Sequence, residues 1–218
     1  EDVDMAVHDL IKKNFTEHQR IVFNGNGYSD EWKDEAARRG LTNICHVPEA
    51  IMKFNDPQSR SVLIGEKIFN ENELNCRIEV ELEKFTKKVQ IESRVLGDLA
   101  INHIVPTAVI YQNRLLENLR GLKEIFSTEE YEEMTADRKD LVREIQRRIL
   151  SIKKAVHDMT EARKVANHLG SQVEKAFSYE EKVRPYLEEI REHIDSLELE
   201  IDDEIWPLPK YRELLFTK

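Results

Sequence analysis

The chain has 218 residues, with 33 Lys or Arg against 43 Asp or Glu for a formal net charge of −10. That balance excludes a nonspecific binder of nucleic acid or of anionic membrane, because both partners require a basic footprint. A 40% hydrophobic, 35% charged composition with only seven glycines and six prolines predicts few, long helices around a real core, an all-α fold with little turn chemistry.

No apolar run approaches the ~20 residues of a membrane span or has the form of a signal peptide. The opening Glu1-Asp-Val-Asp lacks an initiator methionine, so the sequence reads as a piece of a longer cytoplasmic protein. Asp2 is placed to cap a first helix over residues 3–19, with Val3, Val7, Leu10, Ile11 and Phe15 on one face. The run Ile21-Val-Phe-Asn-Gly-Asn-Gly-Tyr-Ser-Asp-Glu-Trp32 follows. Gly25 and Gly27, flanked by Asn24 and Asn26, predict a tight turn with both glycines at positive φ. Ser29 is expected to cap the next helix, Asp30 and Glu31 complement its dipole, and Gly40 ends it. A phosphate cradle is the sharper alternative for this turn. The run lacks both G-x-G-x-x-G and G-x-x-x-x-G-K-[ST] spacing, and acidic residues crowd the helix start where an anion would sit. Pro48 suits the first turn of a short third helix, which Pro57 closes, and residues 56–64 read as a loop.

Three long helical stretches make up the remainder. Asn70-x-x-Glu73 and Ser127-x-x-Glu130 are capping signals for the first two, and Gly170 separates the second from the third. In the third, Val183, Leu187, Ile190, Ile194, Leu197 and Ile201 keep a heptad seam; in the second, Leu141, Ile145, Ile149, Ile152, Val156 and Met159 keep a comparable one. An elongated bundle of partly coiled-coil antiparallel helices follows from these seams. Residues 138–154 hold seven basic against two acidic residues, and residues 180–204 hold eleven acidic against three basic. A hairpin about Gly170 then places Arg148 near Glu192 and Arg138 near Asp202, giving the basic run an intramolecular partner. From Val95 to Leu122 apolar residues wrap the helix (Leu96, Leu99, Ile101, Ile104, Val105, Val109, Ile110, Leu115, Leu116, Leu119), which implies burial all round, as internal core or subunit contact. Pro106 predicts a kink or break near His103-Ile104.

Few constellations suggest chemistry. Cys45 and Cys76 form no C-x-x-C pattern, so zinc is not expected and both read as free, buried thiols of a reducing compartment. No histidine follows a glutamate by three residues, which removes a di-iron bundle. His157 and Glu161 share a helix face as an incomplete metal pair, with solvated surface as the blander reading. His103 beside the proline break has either a proton-transfer role or, more plainly, a hydrogen bond to a freed carbonyl. The Trp206-Pro-Leu-Pro209 segment and the Tyr-Arg-Glu-Leu-Leu-Phe216 run after it are expected to dock on the bundle or on a neighbour.

Three runs carry a family resemblance. Phe23-Asn-Gly-Asn-Gly-Tyr-Ser-Asp-Glu-Trp32, with Arg20-Ile-Val before it and Glu35-Ala-Ala-Arg-Arg-Gly-Leu41 after it, closely resembles the late part of glutamine synthetase type III. Val47-Pro-Glu-Ala-Ile51 with Lys53-Phe-Asn-Asp56 is similar to the proline-led helix near the end of that family's catalytic domain. Ile68-Phe-Asn-Glu-Asn-Glu-Leu74 is similar to the start of its following long helix. Val47 stands where the family has Leu, Asn70 where it has Thr, and residues 56–64 match nothing. The resemblance implies residues 1–90 as the tail end of a glutamine synthetase-like catalytic domain and residues 91–218 as a helical carboxyl-terminal extension. It implies a parent glutamate–ammonia ligase that uses ATP with Mg or Mn. The family's catalytic, nucleotide and metal motifs do not occur here, so no catalytic, cofactor-binding or metal residue is assigned. The implied partners are the rest of the parent chain and neighbouring subunits of a ring-type homo-oligomer. The rival reading is a free-standing helical adaptor whose seams recruit a partner helix.

Overall fold

Residues 2–215 are described by a computed structural model, and every regular element among them is helical. The chain divides into two compact units, the first ending at His46 and the second beginning at Val47.

In the first unit, α1 (Val3–Glu17) starts where Asp2 Oδ1 accepts from the Asp4 amide, as the sequence predicts. A 3-10 turn (Gln19–Ile21) follows, and α2 spans Asp30–Arg38. Gly40 ends α2 at φ +69°. The Leu41 amide reaches the Ala36 carbonyl and the Gly40 amide reaches that of Ala37, which together satisfy two carbonyls the helix leaves open.

The second unit begins with α3 (Val47–Met52), in which Pro48 occupies the first turn and is buried. Residues 56–64 are not a loop. Pro57 opens α4 (Pro57–Gly65) rather than closing its predecessor, because a proline at a helix start has no hydrogen bond to lose. Lys67 then adopts φ 57°, with its amide on Ile64 and that of Ile68 on Leu63.

α5 (Glu71–Leu99) and α7 (Thr128–Asn167) both begin with complete capping boxes, Asn70 with Glu73 and Ser127 with Glu130. At 40 residues α7 is about 60 Å long. The break predicted at Pro106 is a π turn over Ala100–Ile104 that leads into α6 (Val105–Ile125). The Val105 amide bonds back to Ala100, and this wider turn accommodates the residue that cannot donate. A second π turn, Tyr179–Val183, joins α8 (Gln172–Ser178) to α9 (Arg184–Glu200), again just ahead of a proline, Pro185. A final short helix, α10, spans Tyr211–Leu214.

The two seams meet. Ile145, Ile149, Ile152 and Met159 of α7 are buried in one core with Val183, Ile190, Ile194 and Leu197 of the third stretch, and with Ala100, Ile104 and Ala108 of the first. α7 and α9 run antiparallel. Gln112 donates to the Val142 carbonyl and Arg114 pairs with Asp202, which puts the start of α7 level with the end of α9, while Tyr179 bonds Asn167 at the other end. A smaller core of Leu74, Ile78, Leu82 and Ala176 is packed by Ile51, Met52, Leu63 and Phe69, which fastens α3 and α4 to α5 and α8. Burying each such aliphatic side chain contributes about 1.5–3 kcal/mol.

Two expectations about these helices need correcting. Burial of the Val95–Leu122 girdle is one-sided: Ile104 and Leu119 are buried, whereas Val95, Val109, Ile110 and Leu116 are exposed. The helix meets the bundle along one face only. Nor are Arg148 and Arg138 paired with Glu192 and Asp202 as expected. Arg148 bonds Glu144, and Arg138 donates to Asn118. Arg143, Arg147 and Lys154 likewise take carboxylates one turn away on α7. An i,i+3 or i,i+4 partner is already held in place by the helix, so it is reached at less entropic cost than one on another helix.

Trp206 is buried in the main core with Ile205 and Leu208 beside it, so this part of the tail docks on its own bundle. Phe216 lies outside the described residues.

Candidate functional site

The Asn24–Gly27 turn is organised by side chains rather than by left-handed backbone. Gly25 and Gly27 are not at positive φ. Gly25 instead lies against a side chain: a Cβ there would lie 2.5 Å from the Phe23 ring, which would have to shift, and that ring packs tilted on Trp32 at a centroid distance of 4.8 Å. The hydrogen-bonded turn is closed by the Ser29 amide on the Asn26 carbonyl at 3.1 Å. Asn26 Oδ1 accepts from the Tyr28 amide at 3.0 Å. Ser29 stands at the cap position of α2, but its hydroxyl donates to the Asn26 carbonyl at 2.8 Å instead of capping the helix. Arg39 ties the segment to α2, donating to Glu35 and, at 2.6 Å, to the Val22 carbonyl. Hydrogen bonds from Arg38 and then Arg39 hold the Glu35 carboxyl down to about 2. These contacts hold together an exposed corner at which Tyr28 is 98% exposed.

The other sequence candidates are dispersed. His157 and Glu161 are both exposed, and Glu161 is engaged by Lys164 at 2.7 Å. Among the described residues no group of three His, Cys, Asp or Glu is arranged to hold a metal ion. His103 is exposed, and its backbone carbonyl accepts from the Thr107 hydroxyl at 2.9 Å beside the π turn. Cys45 and Cys76 are free thiols, but both are exposed, not buried. Cys76 points outward from α5 into an open groove with Ile68, Phe69, Arg77 and Val80. None of these positions converges on another.

Sequence reading missed one polar cluster, where α5, α7 and the second π turn meet. Tyr179 is fully buried and donates to Asn167 Oδ1 at 2.8 Å, and Gln90 Nε2 approaches the same oxygen at 3.4 Å. Arg163, one turn before Asn167, donates to the buried Ser93 hydroxyl at 3.4 Å. Arg94 follows Ser93 on α5. Burial and then repulsion from Arg94 lower the pKa of Arg163, and burial raises that of Tyr179. The only sequence signal for this cluster is the i,i+4 spacing of Gln90 with Arg94 and of Arg163 with Asn167, which is too common to single out.

Large apolar side chains are also left on the surface. Val3, Val7, Leu10, Ile11 and Phe15 of α1 are all exposed, and no residue of that helix is buried. No helix among the described residues is long and apolar enough to cross a membrane.

Residues 6–123 match the family model described as the glutamine synthetase C-terminal domain. The chain belongs to that family. It is 72% identical over 215 residues to a glutamine synthetase of Bacteroides fragilis (strain YCH46), covering 99% of this chain and 30% of that protein. A type-3 glutamine synthetase of Dictyostelium discoideum is 28% identical over 98% of this chain and 29% of its own length. A glutamine synthetase of Butyrivibrio fibrisolvens is 27% identical over 100% of this chain and 30% of its own length. The chain thus spans about 30% of the length of the curated relatives it matches. In this glutamine synthetase domain the family match ends within α6, while likeness to the relatives continues through the α7–α9 hairpin.

Proposed function

We propose that the chain is the carboxyl-terminal portion of a type III glutamine synthetase and serves it as a structural and assembly element rather than as a catalyst. The observation that carries this reading is the continuation of similarity beyond residue 123, through the long hairpin, to a relative named as a type-3 enzyme. The parent reaction is the joining of ammonia to glutamate by way of a γ-glutamyl phosphate made from ATP, with Mg or Mn at the phosphates, in the cytoplasm. The residues described here offer no fitting set of metal ligands, so no step of that reaction is assigned to them.

Residues 1–90 complete the catalytic domain, and residues 91–218 form the extension that supports a ring-type homo-oligomer. The unburied apolar face of α1 supports the first role, since Leu10, Ile11 and Phe15 need a surface to cover them. Val109, Ile110 and Leu116 on α6 support the second in the same way.

The test compares the chain alone with the intact protein. The intact protein is expected to form glutamine from glutamate, ammonia and ATP. The isolated chain should form none and should show no micromolar ATP binding by calorimetry; turnover by the chain alone would overturn the reading. An intact protein without ligase activity would favour the helical adaptor.

A further inference from the structure

The run from Asn24 to Gly27 repeats one reactive step. Asparagine is a thermolabile residue, most so where the next backbone nitrogen can reach its side-chain carbon, and glycine, with no Cβ, obstructs that approach least. Asn24-Gly25 and Asn26-Gly27 are the only Asn-Gly steps in the sequence. Sequence makes the two equivalent, but their hydrogen bonds differ.

Asn26 is held at its side chain and at its backbone. Its Oδ1 accepts from the Tyr28 amide at 3.0 Å, and its carbonyl accepts from the Ser29 amide at 3.1 Å and from the Ser29 hydroxyl at 2.8 Å. Closing a ring onto the Gly27 nitrogen rotates the side chain and the 26–27 peptide out of the positions that these three bonds hold. Asn24 is exposed, and among the described residues neither its side chain nor the peptide it shares with Gly25 makes a hydrogen bond. No hydrogen bond has to break before that side chain turns towards the Gly25 nitrogen.

We propose that Asn24 is a site of spontaneous deamidation, a modification from which the same turn protects Asn26. The Gly25 nitrogen attacks Asn24 Cγ and loses its proton, the Cγ–Nδ2 bond breaks, and ammonia leaves behind a cyclic succinimide. Water then opens the ring, so the balance is one water taken up and one ammonia released, with no change of oxidation state. Opening at the side-chain carbonyl leaves an aspartate. Opening at the backbone carbonyl leaves an isoaspartate, whose main chain runs through the former side chain. Either product adds one negative charge to the exposed corner. The isoaspartate also lengthens the backbone by one atom just ahead of Gly25, which lies against the Phe23 ring.

The test incubates the intact protein at mildly alkaline pH, folded in buffer and unfolded in guanidinium chloride. Peptide mapping by mass spectrometry follows each position over time, and enzymatic methylation counts isoaspartate. In the folded protein position 24 is expected to convert at least tenfold faster than position 26. In guanidinium chloride the two should convert at comparable rates, because only the fold separates them. Asn24→Gln, at an exposed position that spares the core, closes a ring far more slowly; it should abolish conversion at 24 and remove most of the isoaspartate formed by the folded protein. Equal rates at the two positions in the folded protein, or a faster rate at 26, overturns the proposal. So does a folded protein in which position 24 stays intact over the time that the unfolded chain takes to convert it, or an Asn24→Gln variant that accumulates isoaspartate as fast as the wild type.

Discussion

Gly25 and Gly27 look equivalent in the sequence, yet the structure separates them by what surrounds each. A Cβ on Gly25 meets the Phe23 ring, and one on Gly27 meets nothing within 4 Å. Gly25→Ala must push the ring off Trp32 and is expected to destabilise the first unit by about 1 kcal/mol. Gly27→Ala should change stability by less than about 0.5 kcal/mol. Urea midpoints followed by Trp32 fluorescence compare the two. Glu35 gives this corner a pH dependence. Its carboxyl ionises at about 2 in the folded chain, against 4.5 as its ordinary value. A depressed acid stabilises fully above the unfolded value and loses that contribution as pH falls through the folded one. The corner should therefore loosen between about pH 4.5 and 2, and Glu35→Gln should remove that response. Carboxyl chemical shifts of Glu35 across the same range would report the midpoint directly.

Among elements, the α7–α9 hairpin rests on its seams and not on its charges. Ile149 and Ile190 are 5% and 0% exposed, so truncating either to Ala should cost about 2–5 kcal/mol, as cavity-forming changes do. Glu192→Ala should cost less than about 1 kcal/mol because Glu192 is exposed, and Arg148→Ala should cost less than either isoleucine because its carboxylate partner, Glu144, lies on its own helix. Equal losses for all four in thermal unfolding would mean that the charges, not the seams, hold the hairpin. The end of α4 supplies a second prediction of opposite sign. Lys67 holds the left-handed position that Gly40 holds after α2. A side chain there is strained, so Lys67→Gly should stabilise by about 0.5–1 kcal/mol despite the greater freedom glycine has when unfolded.

For the molecule as a whole, the function proposed above gives the exposed apolar face of α1 a role in the intact protein. Leu10 and Phe15 are 59% and 62% exposed, so Leu10→Gln and Phe15→Gln should leave the unfolding midpoint of this chain within about 0.5 kcal/mol of the wild type. In the intact protein the same changes are expected to weaken glutamine formation or assembly, measured by product release and by light scattering. Loss of stability in the isolated chain would show instead that α1 is already packed against its own residues.

Local pattern was enough for the all-helical class, the two capping boxes, the glycine stop at Gly40, the break before Pro106 and the meeting of the two seams. All but the last depend on residues within about one or two turns of each other, where covalent spacing dictates geometry, and the seams announce themselves by their repeat along each helix. The family resemblance was legible too, in the run from Phe23 to Trp32. Tertiary structure decided the rest. Whether Val109 or Ile104 is buried depends on which face of the girdle meets α7 and α9, and the apolar wrap does not specify that. Arg138 and Arg148 had partners both along their own helix and across the hairpin, and only the assembled bundle shows that nearer groups hold them. The second π turn, ahead of Pro185, buries Tyr179 against Asn167, and the packing of α7 on α5 brings Arg163 to the Ser93 hydroxyl across 70 residues of chain. No local spacing encodes a convergence of that kind, because it exists only once the helices have packed.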